Sequence, residues 1–188
     1  MQPRLTEIVV SLEAHRAAAL SAANALPHER WTMRPAPDRW AVSEILEHLY
    51  RVERGIAPLI TKRAAEAREI GHPEETESGS VIGTFVDRGV SDRRKKLDAP
   101  ERVVPTECPD ADTMLARLAS SRAALLAAVS SADGLALESI HAVHPRLGEI
   151  NLYEWIHFVG LHEARHLGQI EEAVATIAAT TPAVSTAS

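Results

Sequence analysis

Apolar residues recur at three- and four-residue intervals in four stretches of the chain, the spacing that lines one face of an α-helix. In the first, Leu5, Ile8, Val9, Leu12, Ala19, Leu20 and Ala23 draw a stripe that should end before Pro27. A second helix is expected just after Trp40, with Ile45, His48, Leu49, Val52, Ile56 and Leu59 on its inward side and a bend or weakening at Gly55 and Pro58. Met114, Leu115, Leu118, Leu125, Leu126 and Val129 mark a third from about Asp112. The fourth, from about Asn151 to Ala178, carries Ile156, Val159, His162, His166, Ile170, Val174 and Ile177 on or near one side. Strand alternation has little support, so the pattern predicts an all-α fold, a four-helix bundle.

Between Glu69 and Asp110 the pattern gives way to Gly, Pro and charge, including Glu74-Glu75-Thr76-Glu77 and Arg93-Arg94-Lys95-Lys96. The basic run reads as a solvated stretch and not as a nucleic-acid contact. A connection of this length can cross a whole bundle, which predicts an up-down-down-up order with helices two and three running parallel. Some of it should itself be helical, since long structureless loops are uncommon in compact domains. Residues 182–188 read as a flexible tail behind one domain over residues 1–181.

Composition narrows the setting. A chain of 188 residues fills one core and is short for two. Its 26 acidic and 20 basic residues leave a net charge of -6, which argues against a broad nucleic-acid surface. The single cysteine, Cys108, can form no internal disulfide, and the N-terminus has no signal-peptide core, so a cytoplasmic location is expected. No run of 18 apolar residues appears, and no membrane partner is expected. The expected partner is a small-molecule substrate; a homodimer is compatible with the reading.

Candidate chemistry is concentrated in His162-Glu163-Ala164-Arg165-His166, an H-E-x-x-H on the fourth helix. Residues four apart lie about 40° apart around a helix, so both imidazoles can reach one metal ion, but a stable site needs at least a third protein ligand. The metalloprotease reading makes the glutamate a general base. It fits poorly, because Gln169 and Glu172 stand where the extended metzincin pattern needs Gly and His, and only residues 167–188 follow the motif. His15, His28 and His72 are expected to be solvated, His141 and His144 lie in a turn, and His157 is about 140° around the helix from His162. His48, on the inward stripe of helix two, is the best third ligand. Glu163, about 100° from His162, is the candidate catalytic residue, with a positioning role weighed against that of general base. For Arg165 a salt bridge is expected ahead of substrate binding.

Two segments carry a family resemblance. One runs from Arg34-Pro35-Ala36-Pro37-Asp38-Arg39-Trp40 through Ala41-Val42-Ser43-Glu44 to His48-Leu49. The other comprises His144-Pro145-Arg146-Leu147-Gly148, Glu154-Trp155 and His162 to Ile170. The chain resembles the DinB-like superfamily and, within it, the branch similar to bacillithiol transferases. The resemblance implies a DinB-like four-helix domain with a divalent metal, zinc or nickel, on His48, His162 and His166. It also implies transfer of a low-molecular-weight thiol to an electrophile; a metal-dependent hydrolase using Glu163 and a non-catalytic metal-binding stress-response protein are the alternatives. Ala41 departs from the Ser or Thr common after this Trp, so Glu44 lacks its capping-box partner. Trp40 is expected to pack at the helix entrance, and Cys108 to be an ordinary loop residue.

Overall fold

A computed structural model describes residues 1–83, 89–94 and 98–180. Among them are four α-helices and one small two-stranded sheet: α1 (Pro3–Asn24), α2 (Val42–Glu69), α3 (Ala111–Ala132), β1 (His141–His144), β2 (Gly148–Asn151) and α4 (Leu152–Ala179). The expected tail and the Lys95-Lys96 half of the basic run lie outside the described residues. No helix among those described is long and apolar enough to cross a membrane.

Local chemistry fixes the helix ends. Pro3 occupies the first turn of α1, where its missing N–H costs nothing. Asp110 caps α3 by accepting from the Thr113 N–H, and Asn151 with Glu154 forms a reciprocal capping box on α4. At α2 half of that box survives: Ala41 offers no side-chain acceptor, yet the Glu44 carboxylate still accepts from the Ala41 N–H at 2.8 Å. Gly71, at φ +67, closes the other end of α2.

One expectation, the turn over His141 and His144, needs correction; at Gly55 and Pro58, the expected weak point, α2 stays continuous from Val42 to Glu69. Proline there removes one N–H donor, but Ile56, Ala57 and Ile60 are buried on the same turns, and that packing overrides the local preference. His141 and His144 lie on β1, whose hairpin with β2 pairs His141 with Asn151 and His144 with Gly148. Strands of four residues with a single buried alternation are too short to stand out by periodicity. Among the described residues of the 69–110 connection, the expected helical part is the 3-10 turn Glu101–Val103, and Glu74 forms an isolated antiparallel bridge with Leu135.

Two apolar clusters make the core. One joins Leu5, Ile8 and Leu12 of α1 to Ile56 and Ile60 of α2, Leu125 and Val129 of α3, and Ile156 and Val159 of α4. The other joins Ala19 and Ala23 to Ile45, Leu46 and Leu49, Met114 and Leu118, and Ile170 and Ile177. Between them in each helix falls a buried charge: Arg16, Glu53, Arg122 and Glu163. Arg16 reaches Glu163 at 2.6 Å and Glu53 at 2.9 Å; Arg122 reaches Glu53 at 2.6 Å and Glu163 at 3.0 Å. Ser121 also donates to Glu53, and the Leu118 carbonyl accepts from Arg16.

Removing one member of such a set strands the charges it faced. Arg122→Met should therefore lower unfolding free energy by about 3–5 kcal/mol in urea titrations. A loss smaller than about 0.5 kcal/mol would show that the four charges do not act as a buried unit.

Candidate metal centre

The fold brings His48 of α2 to His162 and His166 of α4. His162 Nε2 lies 3.1 Å from His48 Nε2 and 3.1 Å from His166 Nε2, and one nitrogen from each ring falls within a common 4.8 Å. His48 and His166 are buried, and His162 has intermediate exposure as a residue while its ring is covered by Phe158.

The outer nitrogens decide what the inner ones can do. His48 Nδ1 lies 2.7 Å from the Val103 carbonyl, and His166 Nδ1 lies 2.5 Å from Gln169 Oε1. The Val103 carbonyl can only accept, so it requires the proton on His48 Nδ1; with its amide oxygen toward the ring, Gln169 does the same for His166, and both Nε2 atoms then present lone pairs to the centre. His162 Nε2 can donate its one N–H to one of them; the other is then left without a donor. A cation resolves this conflict, because all three neutral imidazoles can donate to it. Metal–nitrogen bonds of about 2.0–2.1 Å separate ligand atoms by roughly 2.9–3.4 Å between right-angled and tetrahedral arrangements, and the 3.1 Å spacings fall in that range. The donor set fits a borderline divalent ion such as zinc or nickel.

Electrostatics keep the rings neutral. Burial pulls His48 below its ordinary value, assisted by Arg51 and opposed by the Val103 bond. His162 is held well below by burial first, then by His166 and His48. Burial and His48 bring His166 down to about 3 against the opposing Gln169 bond.

Aromatic rings wall the centre. Trp40 sits 5.3 Å from His48 by ring centroids, so it packs against the proposed ligand as well as at the helix entrance. Phe158 stacks on His162 at 5.4 Å and meets His144 at 4.6 Å. His144 is not in the triad: its Nδ1 accepts from the Arg146 and Leu147 N–H groups, closing the hairpin turn that ends at Gly148, φ +76. Its separation from Gly148 in His144-Pro145-Arg146-Leu147-Gly148 was the available signal for that turn.

The other candidates lie apart from the three Nε2 atoms. The Glu163 carboxylate is engaged by Arg16 and Arg122; burial pushes its pKa up while the two guanidiniums pull it down. Among the described residues, Arg165 Nη1 donates to the Val90 and Asp92 carbonyls and ties the long connection to α4. His157 is buried elsewhere, beside Ile8 and Tyr153. Cys108 is in the connection, where burial and Glu44 push its thiol up, away from the reactive thiolate. Gln169 was missed as an outer partner, although three residues after His166 is a helical contact distance. Val103 had no sequence signal.

A family profile described as the DinB superfamily matches residues 11–170. The Bacillus subtilis (strain 168) protein named "Uncharacterized protein YuaE" is 28% identical over 150 residues, covering 78% of this chain and 85% of the relative. No solved structure gives a significant match.

Substituting His48, His162 or His166 by Ala should lower metal content in elemental analysis, and Gln169→Leu should weaken affinity about 10- to 100-fold. His157→Ala should leave the stoichiometry of the folded protein unchanged; full occupancy in all three ligand variants would reject the assignment. Acid gives a separate test on chelator-treated protein. The three rings protonate less readily when folded, so below about pH 6.5 the unfolded chain takes up more protons. Stability should be insensitive to these groups above that pH and fall progressively toward pH 3. A urea midpoint that holds constant from pH 7 to 4 would contradict this.

Proposed function

The chain belongs to the DinB superfamily, and from that premise we propose a divalent-metal-dependent enzyme that transfers a low-molecular-weight thiol to an electrophilic small molecule. His48, His162 and His166 hold the metal, zinc or nickel. The observation that carries the reading is the meeting of three Nε2 atoms, two of them obliged by their outer hydrogen bonds to offer lone pairs.

The metal, when bound, would supply a positive charge that favours ionisation of an incoming thiol. The chain's residues prepare the place. Val103 and Gln169 fix two ring orientations, while Phe158 and Trp40 give the site apolar walls. The cosubstrate's sulfur forms the new bond to carbon as the leaving group departs with its electron pair.

A hydrolase would need Glu163 as a base. Its engagement by two guanidiniums favours a positioning role, in which it sets the rotation of α4 beside His162. No observation favours the non-catalytic reading over the transferase.

The frame belongs to the same proposal: a four-helix bundle of up-down-down-up order forming one domain over residues 1–181. Its support is the grouping of the early residues of α1 and α4 with the late residues of α2 and α3 in one cluster. A cytoplasmic setting follows from the lone cysteine, and a homodimer is compatible with it.

Thiol consumption should depend on metal and fall at least about 100-fold in each ligand variant, while Cys108→Ser retains activity. Metal-loaded protein that hydrolyses esters without thiol, and turns over no thiol acceptor in a metabolite screen, would defeat the transferase reading.

A further inference from the structure

The long connection is fastened to both helices that carry the histidines, and its fastenings are polar. Val90 is the one buried side chain among the described residues of 89–110. On α4, Arg165 holds the Val90 and Asp92 carbonyls, and Arg93 reaches Glu172 at 2.8 Å. On α2, Arg51 donates through Nε and Nη2 to the Arg102 carbonyl, at 3.3 and 3.0 Å, and through Nη1 to Thr106 Oγ1 at 2.8 Å. The next carbonyl, that of Val103, meets His48 Nδ1 at 2.7 Å. A segment docked with so little apolar burial opens locally at low cost, so these donors decide whether it is closed.

Arg51 stands one turn beyond His48 on α2, and the two carbonyls that they hold are consecutive. The turn that carries those carbonyls is stiff. Glu101–Val103 is bracketed by Pro100 and Pro105, whose rings fix φ, and Val104 before Pro105 is extended at ψ 133. Holding one carbonyl therefore places the other.

We propose that Arg51 is a positioning residue of the metal centre: by holding the Arg102 carbonyl and Thr106 it keeps the Val103 carbonyl against His48, and occupation of the centre tightens the same docking. An imidazole that gives one nitrogen to a cation is a stronger N–H donor through the other, so His48 holds Val103 more firmly when the site is filled. By linkage, the factor that docking adds to metal affinity is the factor that the metal adds to docking. The proposal deepens the reading above; it rests on the metal part of that reading and needs none of its thiol chemistry.

The test uses full-length protein stripped with chelator and reloaded with zinc. Affinity is read by competition with a chromophoric chelator, and docking by hydrogen exchange at the Val103 and Val104 amides, which bond to the Pro100 and Glu101 carbonyls within the turn. Zinc should slow these two amides at least about threefold beyond any slowing in α1. Arg51→Met should weaken zinc binding roughly tenfold and speed both amides in the metal-free protein, and Arg51→Lys should recover part of each. The direction is diagnostic: a guanidinium repels a cation, so if Arg51 acted by charge alone its removal would tighten zinc binding. Thr106→Val, at an exposed position, removes one acceptor, keeps the charge and does not depend on the Met variant folding; it should weaken zinc binding about two- to threefold. Arg63→Gln, which loses an exposed pair with Glu66 on the same helix, should change neither readout. Zinc that binds without slowing the two amides, or that binds the Met variant as tightly as the unaltered protein or more so, overturns the proposal and leaves the metal centre standing. Protein that takes up no zinc overturns both. Thiol turnover that fails while the zinc and amide results hold removes the transferase reading and leaves the role of Arg51 supported.

Discussion

Four buried charges, one from each helix, impose the constraint on which the rest of the structure depends. Arg16, Glu53, Arg122 and Glu163 lie between two apolar clusters that would tolerate many rotations and slips of their helices. Ion pairs do not tolerate them. A shift of one helix by a turn would leave a guanidinium or carboxylate buried without a partner, at a cost far above that of an imperfect apolar contact. The layer contributes register more than net stability.

That register matters for the histidines because Glu163 is the neighbour of His162. With its carboxylate held by Arg16 and Arg122, the rotation of α4 is set, and His166 and His162 are aimed together about 60° and 100° away around the helix. Glu53 does the same for α2 one and a half turns beyond His48. The charged layer and the His cluster are thus two faces of one arrangement: the first fixes the helices from inside, and the second uses the fixed geometry.

The 69–110 connection completes the site. Among its described residues none joins the histidine cluster, yet the Val103 carbonyl selects the His48 tautomer and the Val90 and Asp92 carbonyls take the Arg165 side chain. Arg93 crosses α4 at Gly168, where an added Cβ would collide with it, and pairs with Glu172. Membership of the DinB superfamily accords with a histidine-rich centre in a helical frame.

The four helices were legible because each buries a stripe with a period close to 3.6, and their predicted limits fall within a few residues of the observed ones. His48, His162 and His166 were legible as a set for the same reason: spacing places a pair on one face, and an inward histidine on another helix can meet it. What spacing alone left open, tertiary structure decided. Glu163 reads as a catalytic base beside a zinc-type motif, but its surroundings come from Arg16 and Arg122, 147 and 41 residues away in sequence. The hairpin was hidden because four-residue strands carry too little alternation, and α2 crossed Pro58 because burial outweighed a local breaker. Local periodicity records which face of an element is buried; the partner of a buried charge, or the carbonyl that selects an imidazole tautomer, is a property of distant chain segments that meet only when the protein is folded.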